Sequence, residues 1–213
     1  MRIRLILASA LILMALPLAA QTSYSPYGNG YKPWDFHFGI GFPIPLGGTS
    51  NVANGVFRMQ TGGIKNFNEK FGLRFDGEWD RFHPTGRILD LYQATGGYGN
   101  VWSLTADGQF RMGNVGHTAT YLFGGVGTHY KQTYLTEPGV AWYCDPWWGI
   151  CYPVGANVVT GKHTDTAFGA NGGFGLQWPL MNGSGFYVEA KYQWINGDFK
   201  DVEMIPITIG WRW

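Results

Sequence analysis

The sequence predicts an all-β fold, an eight-stranded antiparallel up-and-down transmembrane β-barrel, and three observations support that prediction. Aromatic residues make up 17% of the chain and glycine contributes 33 residues, whereas charged residues reach only 14%, roughly half the share of a soluble domain. Several segments alternate between large apolar and small or polar residues, as strands do. After residue 20, no apolar run approaches the roughly 18 residues of a membrane-spanning helix. Such a chain can enter a bilayer only as a closed sheet.

The N-terminus has the residue order of a secretory signal peptide. Arg2 and Arg4 precede the apolar run 5–18, and the small residues Ala19 and Ala20 follow it. This order predicts a signal peptide over residues 1–20, cleaved after export. Residues 21–32 are rich in Tyr, Ser and Gly without periodicity and predict a flexible tail. Residues 33–213 then form a single domain, the barrel.

The first half of the domain contains four predicted strands. The first places Phe36, Phe38, Ile40 and Phe42 on one face, alternating with polar residues and glycine. Glycine blurs the period of the second strand, roughly residues 55–65. The third and fourth, 71–80 and 102–111, carry mainly aromatic and aliphatic residues on one face and polar or ionisable residues on the other. Alternation with a period of two is typical of strands with one apolar side.

The second half of the domain supplies four more strands. Residues 118–131 and 164–178 are rich in glycine, whereas 186–194 and 204–213 alternate clearly. Pro206 interrupts the last strand and removes a donor from the ladder, so we expect a bulge or a position at the barrel rim there. The short connections 66–70, 113–117 and 179–185 alternate with the long connections 84–99 and 132–163. Membrane barrels show this pattern, with the short turns facing the periplasm.

Side-chain volume decides which face points inward. A soluble ligand-binding barrel turns its apolar face inward, but eight strands leave an interior only wide enough for side chains. We therefore expect the Phe and Trp rows to contact lipid and a charge network to fill the lumen. Its predicted members are Arg74, Asp76, Glu78, Arg111, Glu189 and Lys191. Because buried charges must be paired, the lumen is either a closed plug of ion pairs or a narrow porin-like channel.

The longest connection contains both cysteines of the chain. Cys144 and Cys151 lie close in sequence in an exported protein and predict a disulfide. The aromatic residues around them are Trp142, Trp147, Trp148 and Tyr152. They form either a contact surface, since aromatic residues are enriched where partners dock, or a loop packed on itself. A metal site with His129 or His163 is a weaker alternative because structural sites usually collect four ligands. We expect no metal and no cofactor.

Parts of the sequence resemble the OmpA/OmpX-like outer-membrane β-barrel domain family. Residues 168–176 and 186–192 resemble its penultimate hairpin, and 121–127 resemble its glycine-rich fifth strand. The residues Ile209, Trp211 and Trp213 resemble its C-terminal assembly signal. The resemblance covers nearly all of residues 33–213. It implies a bacterial outer-membrane location, insertion by the barrel-assembly machinery, and contact with outer-membrane lipid and lipopolysaccharide.

The sequence disfavours some functions and leaves others open. A formal net charge of +1 provides no basic surface for nucleic acid. A lipid-A-modifying barrel enzyme needs a serine beside a histidine and an orienting carboxylate, and the closely spaced His and Ser motif of the deacylase family is absent. We therefore assign no catalytic residues. We expect a structural or adhesin-like surface-interaction protein with an extracellular partner, and a narrow channel as the alternative.

Overall fold

The computed structural model describes residues 33–115, 117–180, 184–197 and 201–213, so the predicted signal peptide and N-terminal tail lie outside it. These residues form eight strands and two short helices. In chain order they are β1 (Trp34–Pro45), α1 (Gly47–Ser50), β2 (Ala53–Asn66), β3 (Phe71–Pro84), α2 (Gly86–Leu91), β4 (Gly96–Val115), β5 (Thr118–Cys144), β6 (Cys151–Pro179), β7 (Gly185–Ile195) and β8 (Val202–Arg212). The described residues include no helix long and apolar enough to cross a membrane.

The sheet closes on itself. Each strand pairs antiparallel with its neighbours in sequence, and β1 also pairs with β8. At this seam the backbone N–H groups of Phe36 and Trp213 each donate to the carbonyl oxygen of the other residue, at 3.0 and 2.9 Å. Closure gives the strand edges of the barrel wall a partner, as a sheet in lipid requires. The predicted eight-stranded antiparallel barrel is therefore confirmed.

The two faces of the wall differ in polarity as predicted. Phe36, Phe75 and Ile209 lie on the outside and are exposed, and the other large apolar residues of the alternating segments are exposed or half-buried on the same face. Arginine, aspartate, glutamate and glutamine side chains of the same strands are buried in the lumen. An exposed apolar belt that surrounds the whole molecule is suited to lipid contact rather than to water.

Two tyrosine rings lie inside the lumen over glycines of the adjacent strand, because Tyr121 is paired with Gly175 and Tyr187 with Gly210. A Cβ atom added to Gly175 would lie 2.2 Å from a ring carbon of Tyr121, and one added to Gly210 would lie 2.6 Å from the ring of Tyr187. Both tyrosines are buried. The inward-facing glycines therefore determine where large side chains fit. A small barrel needs such positions because its interior is filled by side chains.

The predicted long connection over residues 132–163 is wrong. β5 continues to Cys144 and β6 begins at Cys151, and the two strands pair in register with one irregularity between Leu135 and Thr136. The ladder between β4 and β5 ends at the pair Gly96–Thr136. Beyond Thr136, β5 and β6 pair only with each other, and we call this two-stranded ribbon the arm. Alternation fails to reveal the arm because water surrounds both of its faces, so neither face must be apolar.

The proline of the last strand lies inside β8, at neither a bulge nor the rim. Pro206 faces Pro43 of β1 in a register that continues unbroken on both sides. The ladder between β1 and β2 extends only to Gly41, and the ladder between β7 and β8 skips the position of Pro206. Pro43 therefore has no partner on β2, and Pro206 has none on β7. The backbone N–H that each proline lacks would have had no acceptor on those strands, so no ladder hydrogen bond is lost there.

Candidate functional site

The lumen contains layers of polar side chains, and the lowest lies near the short turns. Arg111 donates to Asp35 through Nη2 at 2.7 Å, and the amide of Asn66 donates to the same carboxylate oxygen at 3.0 Å. β1, β2 and β4 each contribute one of these residues. Arg111, predicted as part of the charge network, therefore belongs to a cluster of its own at the lower end.

The central layer is built around Glu189 of β7. Arg74 of β3 donates to both oxygens of this carboxylate, at 2.6 and 2.8 Å, and through Nε to Asp76 at 2.6 Å. The hydroxyl of Tyr121 donates to Glu189 at 2.7 Å, and Arg212 lies 3.4 Å from it. Bidentate arginine–carboxylate contacts of this kind combine strength with a defined geometry.

The upper layer contains two carboxylates and two cations. Arg58 contacts Asp80 at 2.7 Å and Glu78 at 2.7 Å, and Lys191 forms an ion pair with the other oxygen of Glu78. All four residues are buried. Because alternate residues of β3 point inward, Arg74, Asp76, Glu78 and Asp80 lie along one line in the lumen, and β2 and β7 supply the remaining partners.

Above the charges, the lumen is filled by an apolar cluster. Phe82, Val101, Ala167, Ile195 and Met204 are buried and pack together toward the end of the barrel that carries the arm. The side chains of Arg58 and Arg74 below them have no exposed surface. A continuous water-filled pathway would expose these charged groups, so this conformation has a closed lumen.

The structure brings together one pair of side chains that the sequence did not suggest. Ser103 Oγ lies 2.7 Å from Nδ1 of His129, and the amide of Gln193 lies 3.2 Å from the same nitrogen. The pair is buried between the upper charge layer and the apolar cluster. A nucleophilic serine needs substrate access and a base whose other ring nitrogen is held by a third group. Here Gln193 contacts the same nitrogen as Ser103, and the lumen encloses the pair. Only the register of β4 with β5, which pairs Ser103 with His129, could have revealed the contact.

The arm ends in a disulfide. Cys144 and Cys151 occupy directly opposed positions on β5 and β6 and are bonded to each other, as predicted. Within the described part of the chain, no group of three or more His, Cys, Asp or Glu residues could hold a metal ion.

The turn beyond the disulfide is held by Asp145. Its carboxylate accepts hydrogen bonds from the backbone N–H groups of Trp147 and Trp148 at 2.8 and 3.2 Å, and its carbonyl accepts one from Gly149 at 2.9 Å. Gly149 adopts a φ of +64°, a left-handed conformation that glycine tolerates best. The sequence Asp-Pro-Trp-Trp-Gly-Ile therefore encodes a defined turn.

The tip of the arm presents its aromatic residues to solvent. Trp147 and Trp148 are 89% and 80% exposed, and Trp142, on the last part of β5, is 72% exposed. A loop packed on itself would bury such rings, so their exposure favours the interpretation as a contact surface, which stays a prediction. Tyr152 lies on β6 opposite Tyr143, but its side chain is outside the described part of the structure.

The predicted C-terminal assembly residues lie on the outside of the closing strand. Ile209 and Trp213 are exposed on the outer face of the barrel, and Trp211 packs edge-on against Phe186 at a centroid distance of 4.6 Å. Their alternation continues the apolar belt. Recognition by assembly machinery stays a prediction.

Comparisons with known proteins support the fold. No protein-family profile and no curated protein matches the chain. Among solved structures, the chain resembles the Neisserial surface protein A at 12% identity with a TM-score of 0.51, covering 86% of this chain and 97% of that one. It also resembles a major outer membrane protein of Thermus thermophilus at 11% identity with a TM-score of 0.54, covering 84% and 97%. The chain therefore has the fold of the OmpA/OmpX-like outer-membrane proteins, an eight-stranded antiparallel barrel.

Proposed function

We propose that this chain is a bacterial outer-membrane protein whose barrel anchors a surface-interaction arm. The exposed tryptophan tip is the observation that carries the proposal. Trp147 and Trp148 lie at the end of a disulfide-closed ribbon, away from the apolar belt. Large exposed aromatic side chains on a soluble segment are typical of surfaces that bind a partner.

The anchoring role follows from the outer face and the lumen together. The apolar belt and the barrel fold support insertion in the outer membrane. Ion pairs fill the lumen and the apolar cluster closes it, which favours an anchor over the alternative of a narrow channel. Because the polar pair Ser103 and His129 is enclosed, we also assign the barrel no catalytic role.

The arm has the dimensions of a presenting device. It extends from the pair Glu137–Val158 to Cys144–Cys151, a length of about 25 Å at roughly 3.3 Å per residue. The disulfide and the Asp145 hydrogen bonds hold the tip in one conformation. Pre-organisation of this kind reduces the conformational entropy that binding would otherwise cost. The tip has one carboxylate and no cation, so an apolar or glycan surface suits it better than an acidic one.

The test compares adhesion of cells that produce wild type, Trp147→Ala/Trp148→Ala or Trp34→Ala to immobilised extracellular-matrix proteins and glycans. Trp34 is exposed at the opposite end of the barrel and is the matched control. Loss of a central tryptophan costs about 2 kcal/mol or more at an interface, which is roughly thirtyfold in affinity. We expect the double variant to lose binding to at least one surface and Trp34→Ala to retain it.

A second arm of the experiment tests the disulfide. Cys144→Ser/Cys151→Ser should weaken the same adhesion, because the turn loses its covalent closure, while heat-modifiable migration of the folded barrel stays unchanged. Adhesion no greater than that of cells lacking the protein, or adhesion that survives deletion of residues 137–158, would contradict the proposal.

A further inference from the structure

The exposed apolar residues at the end of the arm surround it on every side. Trp142 and Tyr143 are consecutive residues of β5, so they point to opposite faces of the ribbon, and both are exposed. Beyond the disulfide, Ile150 is 62% exposed, beside Trp147 and Trp148. A folded protein partner covers one patch of a surface, whereas apolar groups on all sides suit a medium that encloses the tip. A lipid bilayer is such a medium.

The turn at the end of the arm uses its backbone donors internally. The N–H groups of Asp145, Trp147, Trp148 and Gly149 all donate hydrogen bonds within the turn, and Pro146 has no N–H to donate. A peptide or glycan is fixed in orientation by polar groups of its binding site, and these donors are not available for that purpose. A bilayer makes the opposite demand, because a backbone group that loses water without gaining a partner costs free energy. The turn meets that demand.

The charges of the arm indicate which kind of bilayer suits it. Residues 137–158 contain two carboxylates, Glu137 and Asp145, and no lysine, arginine or histidine. The carboxylate of Asp145 accepts the hydrogen bonds that hold the turn, and Glu137 lies at the base of the arm. Segments that bind anionic lipids do so through clustered cations. An arm without cations favours zwitterionic headgroups, such as those of phosphatidylcholine.

The length of the strands separates the tip from the membrane that holds the barrel. β4 contains 20 residues, and a tilted strand crosses the hydrocarbon in about 9–11, so the wall extends well beyond the lipid core. The arm begins where the pairing with β4 ends, at Gly96–Thr136, and extends for about 25 Å. Trp147 lies three residues beyond Cys144, or at most about 10 Å, which matches the roughly 5–10 Å that interfacial segments bury. The tip can therefore reach and enter an opposing membrane.

We propose that the end of the arm inserts into the headgroup interface of an opposing zwitterionic bilayer. Trp147, Trp148 and Ile150 enter the boundary between headgroups and acyl chains. Trp142 and Tyr143 lie at headgroup level, where tryptophan and tyrosine rings are favoured. The disulfide keeps these rings together as the tip enters. The inference rests on the proposed surface-interaction function and names its partner as a lipid surface, in a membrane other than the one that contains the barrel.

Two pairs of variants separate lipid insertion from other roles of the tip. Trp147→Phe/Trp148→Phe keeps two large aromatic rings, whereas Trp147→Ala/Trp148→Ala removes them. Asp145→Asn keeps a carbonyl oxygen as acceptor for the N–H groups of the turn, whereas Asp145→Ala leaves two of these groups without their acceptor. Trp34→Ala, at the opposite end of the barrel, is the control for loss of an exposed tryptophan.

The experiment places the full mature chain in nanodiscs and adds vesicles of phosphatidylcholine, or of an equal mixture of phosphatidylcholine and phosphatidylserine. Co-flotation measures how tightly the vesicles bind. Vesicles of dibrominated phosphatidylcholine quench the fluorescence of any tryptophan that enters them, and the tryptophans of the barrel stay inside the nanodisc. We expect wild type to bind phosphatidylcholine with quenching, and to bind the mixture no more tightly.

The variants should differ in a defined order. Trp147→Ala/Trp148→Ala should bind phosphatidylcholine about tenfold or more weakly, since two large apolar surfaces are lost, and should lose the quenching. Asp145→Ala should bind about fivefold more weakly, because uncompensated N–H groups must be dehydrated. Trp147→Phe/Trp148→Phe, Asp145→Asn and Trp34→Ala should stay within about threefold of wild type.

Supported phosphatidylcholine bilayers join the immobilised surfaces of the adhesion test, and we expect the Ala double variant to lose binding to them. Absence of quenching by brominated lipid, equal loss in the Phe and Ala double variants, or binding that requires phosphatidylserine would overturn the inference. If wild type binds no bilayer but adheres to a protein or glycan through Trp147 and Trp148, the lipid partner is excluded and the proposed function stands. If wild type binds none of the surfaces, both fail.

Discussion

Replacing Glu189 by glutamine tests whether the lumen is held by compensated charge. The carboxylate accepts two hydrogen bonds from Arg74 and one from Tyr121, at 2.6, 2.8 and 2.7 Å, and its side chain is 4% exposed. Glutamine keeps the shape and removes the charge, so Arg74 retains only Asp76 as an ionic partner. Removing one partner of a buried pair costs about 3–5 kcal/mol. The amide still accepts hydrogen bonds, so we expect a loss of about 3 kcal/mol, at the lower end of that range.

The matched control is an ion pair of equal length at a wetter position. Lys131 and Asp165 lie 2.6 Å apart, and their side chains are 16% and 17% exposed. Asp165→Asn also converts a carboxylate to an amide, and we expect it to cost about 0–1 kcal/mol because solvent screens the pair. Both variants convert a carboxylate to an amide, so the difference between their losses of unfolding free energy measures the effect of burial.

The free energy of unfolding would be measured by urea titration of the barrel folded into phospholipid vesicles. Tryptophan fluorescence and heat-modifiable migration should report the same transition, and an unchanged dependence on urea would show that compactness is unaltered. The double variant Arg74→Gln/Glu189→Gln should cost less than the sum of the single variants, since the two residues are coupled. A loss below about 1 kcal/mol for Glu189→Gln, or an equal loss for Asp165→Asn, would refute the role of the ion-pair layer.

Three further outcomes test the packing, the lipid face and the closed lumen. Gly175→Ala should destabilise the barrel by about 1–3 kcal/mol because its Cβ would lie 2.2 Å from a tyrosine ring carbon, whereas Gly108→Ala should not; equal unfolding curves would contradict this. Phe75→Arg, in the middle of the apolar belt, should lower the free energy of unfolding in vesicles by about 2–4 kcal/mol. Phe67→Arg, beside a short turn, should lower it by about 0–1 kcal/mol. A larger loss for Phe67→Arg would contradict the assignment of the belt to the lipid. In planar bilayers the purified protein should give no discrete conductance steps, and stepwise current would show that the lumen opens.

The sequence by itself determined the barrel and the direction of its faces. Lipid makes one face of each strand apolar, and a narrow interior requires glycine and polar groups on the other. Because each constraint acts on every second residue, the sequence alternates with a period of two, and this alternation is visible in the sequence alone. Phe36 to Phe42 and Ile207 to Trp213 show that period clearly, and those segments form the two strands of the closing seam.

Only the tertiary structure decided which inward residues meet. Arg74 and Glu189 are 115 positions apart in the chain, and their contact depends on strand register and tilt, which the alternation does not encode. The contact between Ser103 and His129 has the same origin, and so does the apolar cluster around Phe82 and Met204, which shares the inward face with the charges.

The arm and the two facing prolines also required the structure. A ribbon surrounded by water has no apolar face to mark it, so residues 132–163 read as a loop although β5 and β6 continue through most of them. Pro206 is accommodated because Pro43 faces it and the neighbouring ladders are interrupted at the same height. This compensation depends on which residues of two strands lie opposite each other, so the sequence of a single strand cannot reveal it.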